Sequence, residues 1–190
     1  MGVVFSRPSL APGEDAYGNG ITGAETMPRT SVFSTSAVSL PTGTMRLAYF
    51  TPPQTITVST AITNTTTQAA GATPTLSKMA LFSVASDGAL TRVAVTANDT
   101  AIWTPGTNTE CAKAFTGSVT LTRGQRYAFA ALCVTGAAAP NLAGVTLPSS
   151  AVGARAPRIS GFIGSQTDIA ASYTSGDVAS SSAMIWGAVV

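Results

Sequence analysis

Apolar and polar residues alternate with a period of two over much of this chain, and helical spacing is nearly absent. The densest stretch is LSKMALFSVASDGALTRVAV at residues 76–95, where two apolar-rich segments flank Asp87-Gly88-Ala89-Leu90. A second pair follows, with SVTLT at 118–122 and RYAFAALCV at 126–134 on either side of Arg123-Gly124-Gln125. Glycine supplies the positive φ of a tight reversal, so both pairs predict β-hairpins. Upstream, Met45, Leu47 and Tyr49 alternate with Arg46, Ala48 and Phe50, and Pro52-Pro53 closes that strand. Ile56 and Val58, extending to Ala61-Ile62, predict the next, with β-branched Thr on its outward face. Residues 64–75 read as a Thr/Ala/Gly loop, and 98–109 as a linker carrying Trp103. Later come a short strand or loop at 145–150, a strand at 158–163, a polar loop at 166–182, and an apolar terminus, 183–190, expected inside a sheet. Roughly eight to ten short strands with turn signals predict an all-β fold, an antiparallel β-sandwich of jelly-roll-like form.

Residues 1–30 break this pattern. Pro8, Pro12 and Pro28, with Gly13, Gly18, Gly20 and Gly23 between them, interrupt any helix or strand period. Val3, Val4, Phe5, Leu10, Ile21 and Met27 are apolar anchors spaced along this segment. The expected organisation is therefore an extended docking arm, 1–30, before a β-sandwich domain, 31–190, with the arm ordering against a partner.

Charged residues make up 9% of the chain, against about 25% in ordinary soluble domains. Mean hydropathy is positive, yet no apolar run approaches the roughly 20 residues of a membrane span, which argues against membrane insertion. Low charge on a chain of this kind predicts surface buried between subunits, hence a homo-oligomer, most simply a trimer; a Ser/Thr-coated monomer is the alternative. The formal charge is +2 and the basic residues are scattered. No cluster of Lys and Arg interleaves with aromatics, so a nucleic-acid partner is not expected. The start lacks a basic region followed by a long apolar core, so no secretory signal is expected.

There is no histidine. Ser-His-Asp and Cys-His catalysis within the chain are thereby excluded, and two cysteines alone do not fill a zinc shell. Asp87, Asp99 and Asp177 read as turn residues, and nothing resembles a calcium loop. No enzyme activity, cofactor or metal is expected. Cys111 and Cys133 either pair or act as small buried apolar residues, and the second reading is preferred. Tyr49, Tyr127 and Trp186 lie in apolar strands and read as core. Trp103 and Tyr173 lie in loops, which makes them the candidates for stacking on a ligand such as a sugar ring.

MRLAYFT at 45–51, GATPT at 71–75, ALFSVASDG at 80–88 and GQRYA at 124–128 together resemble the β-sandwich modules of tailed-bacteriophage virion proteins. The resemblance covers about residues 31–190 and is to modules similar to minor tail proteins and tail-fibre ends of phages infecting actinobacteria. It implies a non-enzymatic virion part, often trimeric, contacting other virion proteins and sometimes host-surface glycans. It carries no catalytic residues over. Tail fibres usually have long shafts and this chain has only a short arm, so a capsid decoration protein is an alternative, as is a carbohydrate-binding module.

Overall fold

The computed structural model describes residues 23–32, 37–70 and 73–190. They form two antiparallel sheets, so the all-β, sandwich-like architecture expected from the alternation is what the chain adopts. The strands are β1 (Ala24–Glu25), β2 (Ala37–Ser39), β3 (Met45–Phe50), β4 (Ile56–Thr67), β5 (Leu76–Val84), β6 (Leu90–Val95), β7 (Thr109–Leu121), β8 (Tyr127–Val134), β9 (Asn141–Thr146), β10 (Ser160–Ile163), β11 (Ser172–Tyr173), β12 (Ala183–Ile185) and β13 (Ala188–Val189). One short helix, α1 (Ser150–Ala154), and two 3-10 turns complete the described residues. The first sheet runs β1-β13-β4-β9-β12, with β7 on β4 and β2 on β9; the second runs β10-β3-β8-β5-β6-β11.

A folded ribbon organises the two layers. β3 pairs with β8 in the second sheet, from Arg46↔Ala131 to Phe50↔Tyr127. The same two chain segments then pair as β4 and β7 in the first sheet, from Ile56↔Leu121 to Thr65↔Thr109. The ribbon bends between the sheets at residues 51–55 and 122–126, and the two bends are tied together: Gly124 N donates to Pro52 O at 3.3 Å, and Arg123 N to Thr55 Oγ1 at 3.1 Å.

This bend corrects one expected hairpin. The turn at Arg123-Gly124 exists, with Gly124 at φ +77° and Gln125 N donating to Thr122 O. The strands it joins, however, enter different sheets and do not pair with each other. The Asp87-Gly88 hairpin forms as expected: β5 pairs with β6, Ala85 N donates to Ala89 O at 2.9 Å, and Gly88 takes φ +88°, a region costly for any residue with a Cβ.

Two elements are longer than their apolar pattern indicated. β4 continues through Thr67 into the expected loop, because buried Thr63 and Thr65 find partners there: Trp103 Nε1 donates to Thr63 Oγ1, and Thr65 Oγ1 donates to Gly106 O. β7 begins at Thr109, within the expected linker, although only Cys111, Phe115 and Leu121 along it are buried.

The core has two parts. Between the sheets lie Leu81, Phe129, Leu121, Leu142, Ile185 and their neighbours. On the other face of the second sheet, Met45, Leu47, Phe82, Leu132 and Leu90 form a second cluster, covered by Ile169 and Val178. The covering segment, 164–182, contains the expected polar loop, 166–182. It crosses from the β10 edge, pairs as β11 with β6 at the opposite edge, and returns to pair Ala179 with Phe162 of β10. Because β8 is covered on both faces, nearly all of its residues are buried and its sequence shows no alternation.

The boundary of the expected arm also changes. β1 pairs with β13, Thr26 N donates to Gly187 O, and Met27 is buried in the inter-sheet core. The residues from Ala24 to Met27 therefore belong to the sandwich. The remaining arm residues, with Val3, Val4, Phe5, Leu10 and Ile21, lie outside the described residues. The C-terminal strand does lie inside the sheet: β13 sits between β1 and β4.

Candidate binding groove

An open groove of about 800 Å³ lies at one end of the covered sheet. Four separate stretches build it. β3 contributes Tyr49, the β5–β6 hairpin contributes Val84 to Gly88, the bend before β8 contributes Gln125 and Arg126, and the segment after α1 contributes Ala156, Pro157 and Arg158; Ser175 of the covering segment completes the rim. Its size falls within the roughly 300–1,000 Å³ of small-molecule sites.

Two guanidinium groups define its electrostatics. Arg126 stacks over the Tyr49 ring, 5.3 Å from its centroid. Arg158 stands beside the Tyr49 hydroxyl and is oriented by donating from Nη1 to Val178 O at 2.7 Å. Among the described residues neither arginine has a carboxylate partner. Burial raises the Tyr49 hydroxyl pKa, and the two arginines oppose that shift in part; Tyr49 is neutral at physiological pH. Burial also lowers the Arg126 pKa, which marks a partly desolvated cation. The one acid on the rim is Asp87, whose Oδ1 accepts from Ala89 N at 2.9 Å and so serves its own turn. Arg46 and Arg92 lie outside the groove: Arg46 bonds Ser39 O and Ser181 Oγ, and Arg92 bonds Ile169 O.

The residues singled out from sequence lie elsewhere. Trp103 is fully buried between the sheets, with its indole N–H on Thr63 Oγ1, so it offers no face to a ligand. The loop that carries it turns inward through Ile102 N to Asp99 O and Thr104 N to Ala101 O bonds. Tyr173 is half-buried, its ring edge-on to Phe82 at 5.8 Å and its hydroxyl donating to Gln166 Oε1, which fixes the covering segment in place. Met27 is core, as described above. None of the three lines the groove.

The turn readings of the acids hold. Asp87 caps its own turn, Asp99 Oδ1 accepts from Ala101 N, and Asp177 Oδ2 accepts from both N and Oγ1 of Thr174. Asp99 and Asp168 also meet Lys113 and Lys78 at 2.8 and 2.7 Å. Cys111 and Cys133 are both free and buried, in line with the preferred reading. Among the described residues no group of three or more His, Cys, Asp or Glu is placed to hold a metal, and no helix is long and apolar enough to cross a membrane. The chain matches no protein-family model, and no curated protein matches it.

Tyr49, Gln125 and Arg126 lie inside the segments that resemble virion modules; Tyr49 is buried in the second cluster, as its apolar strand predicts, and the sequence assigns the arginines no site. Arg158 has Arg155 close to it in sequence. Its neighbour across the groove, Arg126, lies in the bend before β8, and no local motif signals that pairing.

Proposed function

We propose that this chain is a non-enzymatic structural part of a tailed-phage virion, attached through residues 1–22 and displaying its β-sandwich for assembly or host-surface adhesion. The observation that carries the reading is where the apolar residues go. Burial on both faces of the second sheet absorbs them, and Val93, Val152 and Val190 are the exposed large hydrophobics among the described residues. The surface left over is dominated by small and hydroxylic side chains with few charges, suited to a rigid display unit. The segments that resemble virion modules support the same reading, since MRLAYFT forms β3, ALFSVASDG forms most of β5 and its turn, and GQRYA opens β8, all in the covered sheet. An antibody against the sandwich should precipitate intact particles from a phage lysate; an antigen found wholly in the soluble fraction would contradict the assignment.

Self-association as a trimer belongs to this proposal. β7 pairs with β4 along one edge, while its other edge shows a single bridge, Phe115 to Thr96, among the described residues. Residues 114–122 carry no charge to discourage strand pairing. Light scattering on the purified chain should give three times the 19.1 kDa chain mass; a monomer at micromolar concentration would contradict it.

A second reading, a carbohydrate-binding module, is favoured by one specific observation: the groove over Tyr49 combines guanidinium groups that have no carboxylate partner among the described residues, hydroxyl groups and short apolar walls.

A further inference from the structure

The groove carries more than a capacity to bind. Its donors are of two kinds. Arg126 and Arg158 approach from different elements and converge on Tyr49, leaving guanidinium N–H groups without an acidic partner among the described residues. Planar guanidinium forks match carboxylate geometry, and a partly desolvated fork gains more from an anion than one in bulk water. Around them stand the exposed hydroxyls of Ser86 and Ser175 and the amide of Gln125, which is anchored by donating to Val84 O. Val84, Ala154, Ala156 and Pro157 add apolar wall between the polar groups. A free inorganic anion would use the arginines and hydroxyls but leave that apolar wall idle. A pyranose ring has hydroxyls on its rim and C–H groups on its faces, so it uses both.

We infer that the groove binds a carboxylate-bearing sugar of the hexuronate type, its carboxylate on Arg126 and Arg158 and its ring against Pro157 and the Ser86 and Ser175 hydroxyls. This rests on the carbohydrate-binding reading above and does not depend on the virion assignment. The two guanidinium groups are the specificity element: they make the acidic sugar preferred over its neutral counterpart. Asp87 on the rim adds to the discrimination by repelling a second anionic group, which favours one carboxylate per bound ring over a densely sulfated chain.

The test is titration of the full-length, isotope-labelled chain, followed by amide NMR, with a galacturonic acid trisaccharide, the neutral galactose trisaccharide and sodium phosphate at matched ionic strength. The acidic trisaccharide should saturably shift the amides of Gly88, Gln125, Arg126 and Arg158. The neutral sugar and phosphate should each bind at least roughly tenfold more weakly, the loss expected when a charge-assisted bond or the ring contacts are missing. Arg126→Gln and Arg158→Gln should each weaken the acidic sugar by about the same factor and the neutral one by less, so that the acid-to-neutral preference shrinks. The acid-to-neutral comparison on the unaltered chain stands even if a variant folds poorly. Equal affinity for the two sugars would overturn the carboxylate assignment while leaving the groove a sugar site. Phosphate binding as tightly as the acidic sugar would overturn it in favour of a simple anion site. No shift at the groove with either sugar would overturn both the assignment and the carbohydrate-binding reading beneath it.

Discussion

At the scale of single residues, several positions are fixed by what surrounds them. A Cβ on Gly187 would stand 2.5 Å from the Phe129 ring, so the C-terminal segment crosses β8 only because that position lacks a side chain. Gly187→Ala should destabilise the fold by about 1–3 kcal/mol through overpacking, read from urea unfolding; an unchanged midpoint would mean the crossing is looser than described. Thr26 closes the same region from the other side. Its hydroxyl donates to Ile185 O at 3.1 Å and accepts from Gly187 N at 3.0 Å, all within buried surroundings. Thr26→Val keeps the shape and removes both bonds, for an expected loss of about 1–3 kcal/mol. These roles were illegible in the sequence. Met27 and Trp103 show why: both sit in stretches rich in Pro, Gly, Thr or Asn, which read as exposed, and only long-range packing shows that the chain turns them inward.

At the scale of elements, what was legible was local. The Asp87-Gly88 hairpin joins strands that pair with each other, so turn chemistry and alternation sufficed. The Arg123-Gly124 bend carries the same local signals, but its strands are claimed by β4 on one side and by β3 and β5 on the other. Partner choice is a tertiary property and leaves no mark on the turn itself. The groove was illegible for the same reason, since its walls come from four separated stretches. The covering segment, 164–182, is the clearest case. Most of its residues are polar, and three spaced side chains, Ile169, Tyr173 and Val178, hold it on the sheet. Ile169→Ala should cost about 2–5 kcal/mol and should accelerate proteolysis within this segment and hydrogen exchange in β6. If protease sensitivity stays unchanged, the segment is not held by these contacts. The Lys78–Asp168 pair on the same segment is exposed on its acidic side, so breaking it should matter far less.

At the scale of the whole molecule, the charge pattern sets the response to pH. With no histidine, and with both thiols pushed up by burial, neither imidazole nor thiol supplies a titration near neutrality, and the melting temperature should be flat from about pH 5 to 8. The acid side differs. The hydrogen bond from Lys113 holds the Asp99 carboxyl below its ordinary value. Burial pushes Asp168 up, but its bonds from Lys78 and Ile169 N outweigh that and leave it depressed as well. A carboxylate depressed in the folded state stabilises above its unfolded pKa, and that contribution disappears as pH falls through the folded value. Stability should therefore drop below about pH 4, and Lys113→Met should make the drop shallower. A melting temperature that changes between neutral and mildly acidic pH would show a titrating group unaccounted for.

We propose a division of labour: a self-sufficient sandwich beginning near residue 23, and a preceding segment whose spaced apolar residues attach it to a particle. Deleting residues 1–22 tests this directly, because β1, Thr26 and Met27 stay in place. The shortened chain, expressed during infection in place of the full one, should melt within a few degrees of it and be absent from purified particles. A shortened chain that fails to fold, or one that still enters particles at the normal level, would contradict the claim.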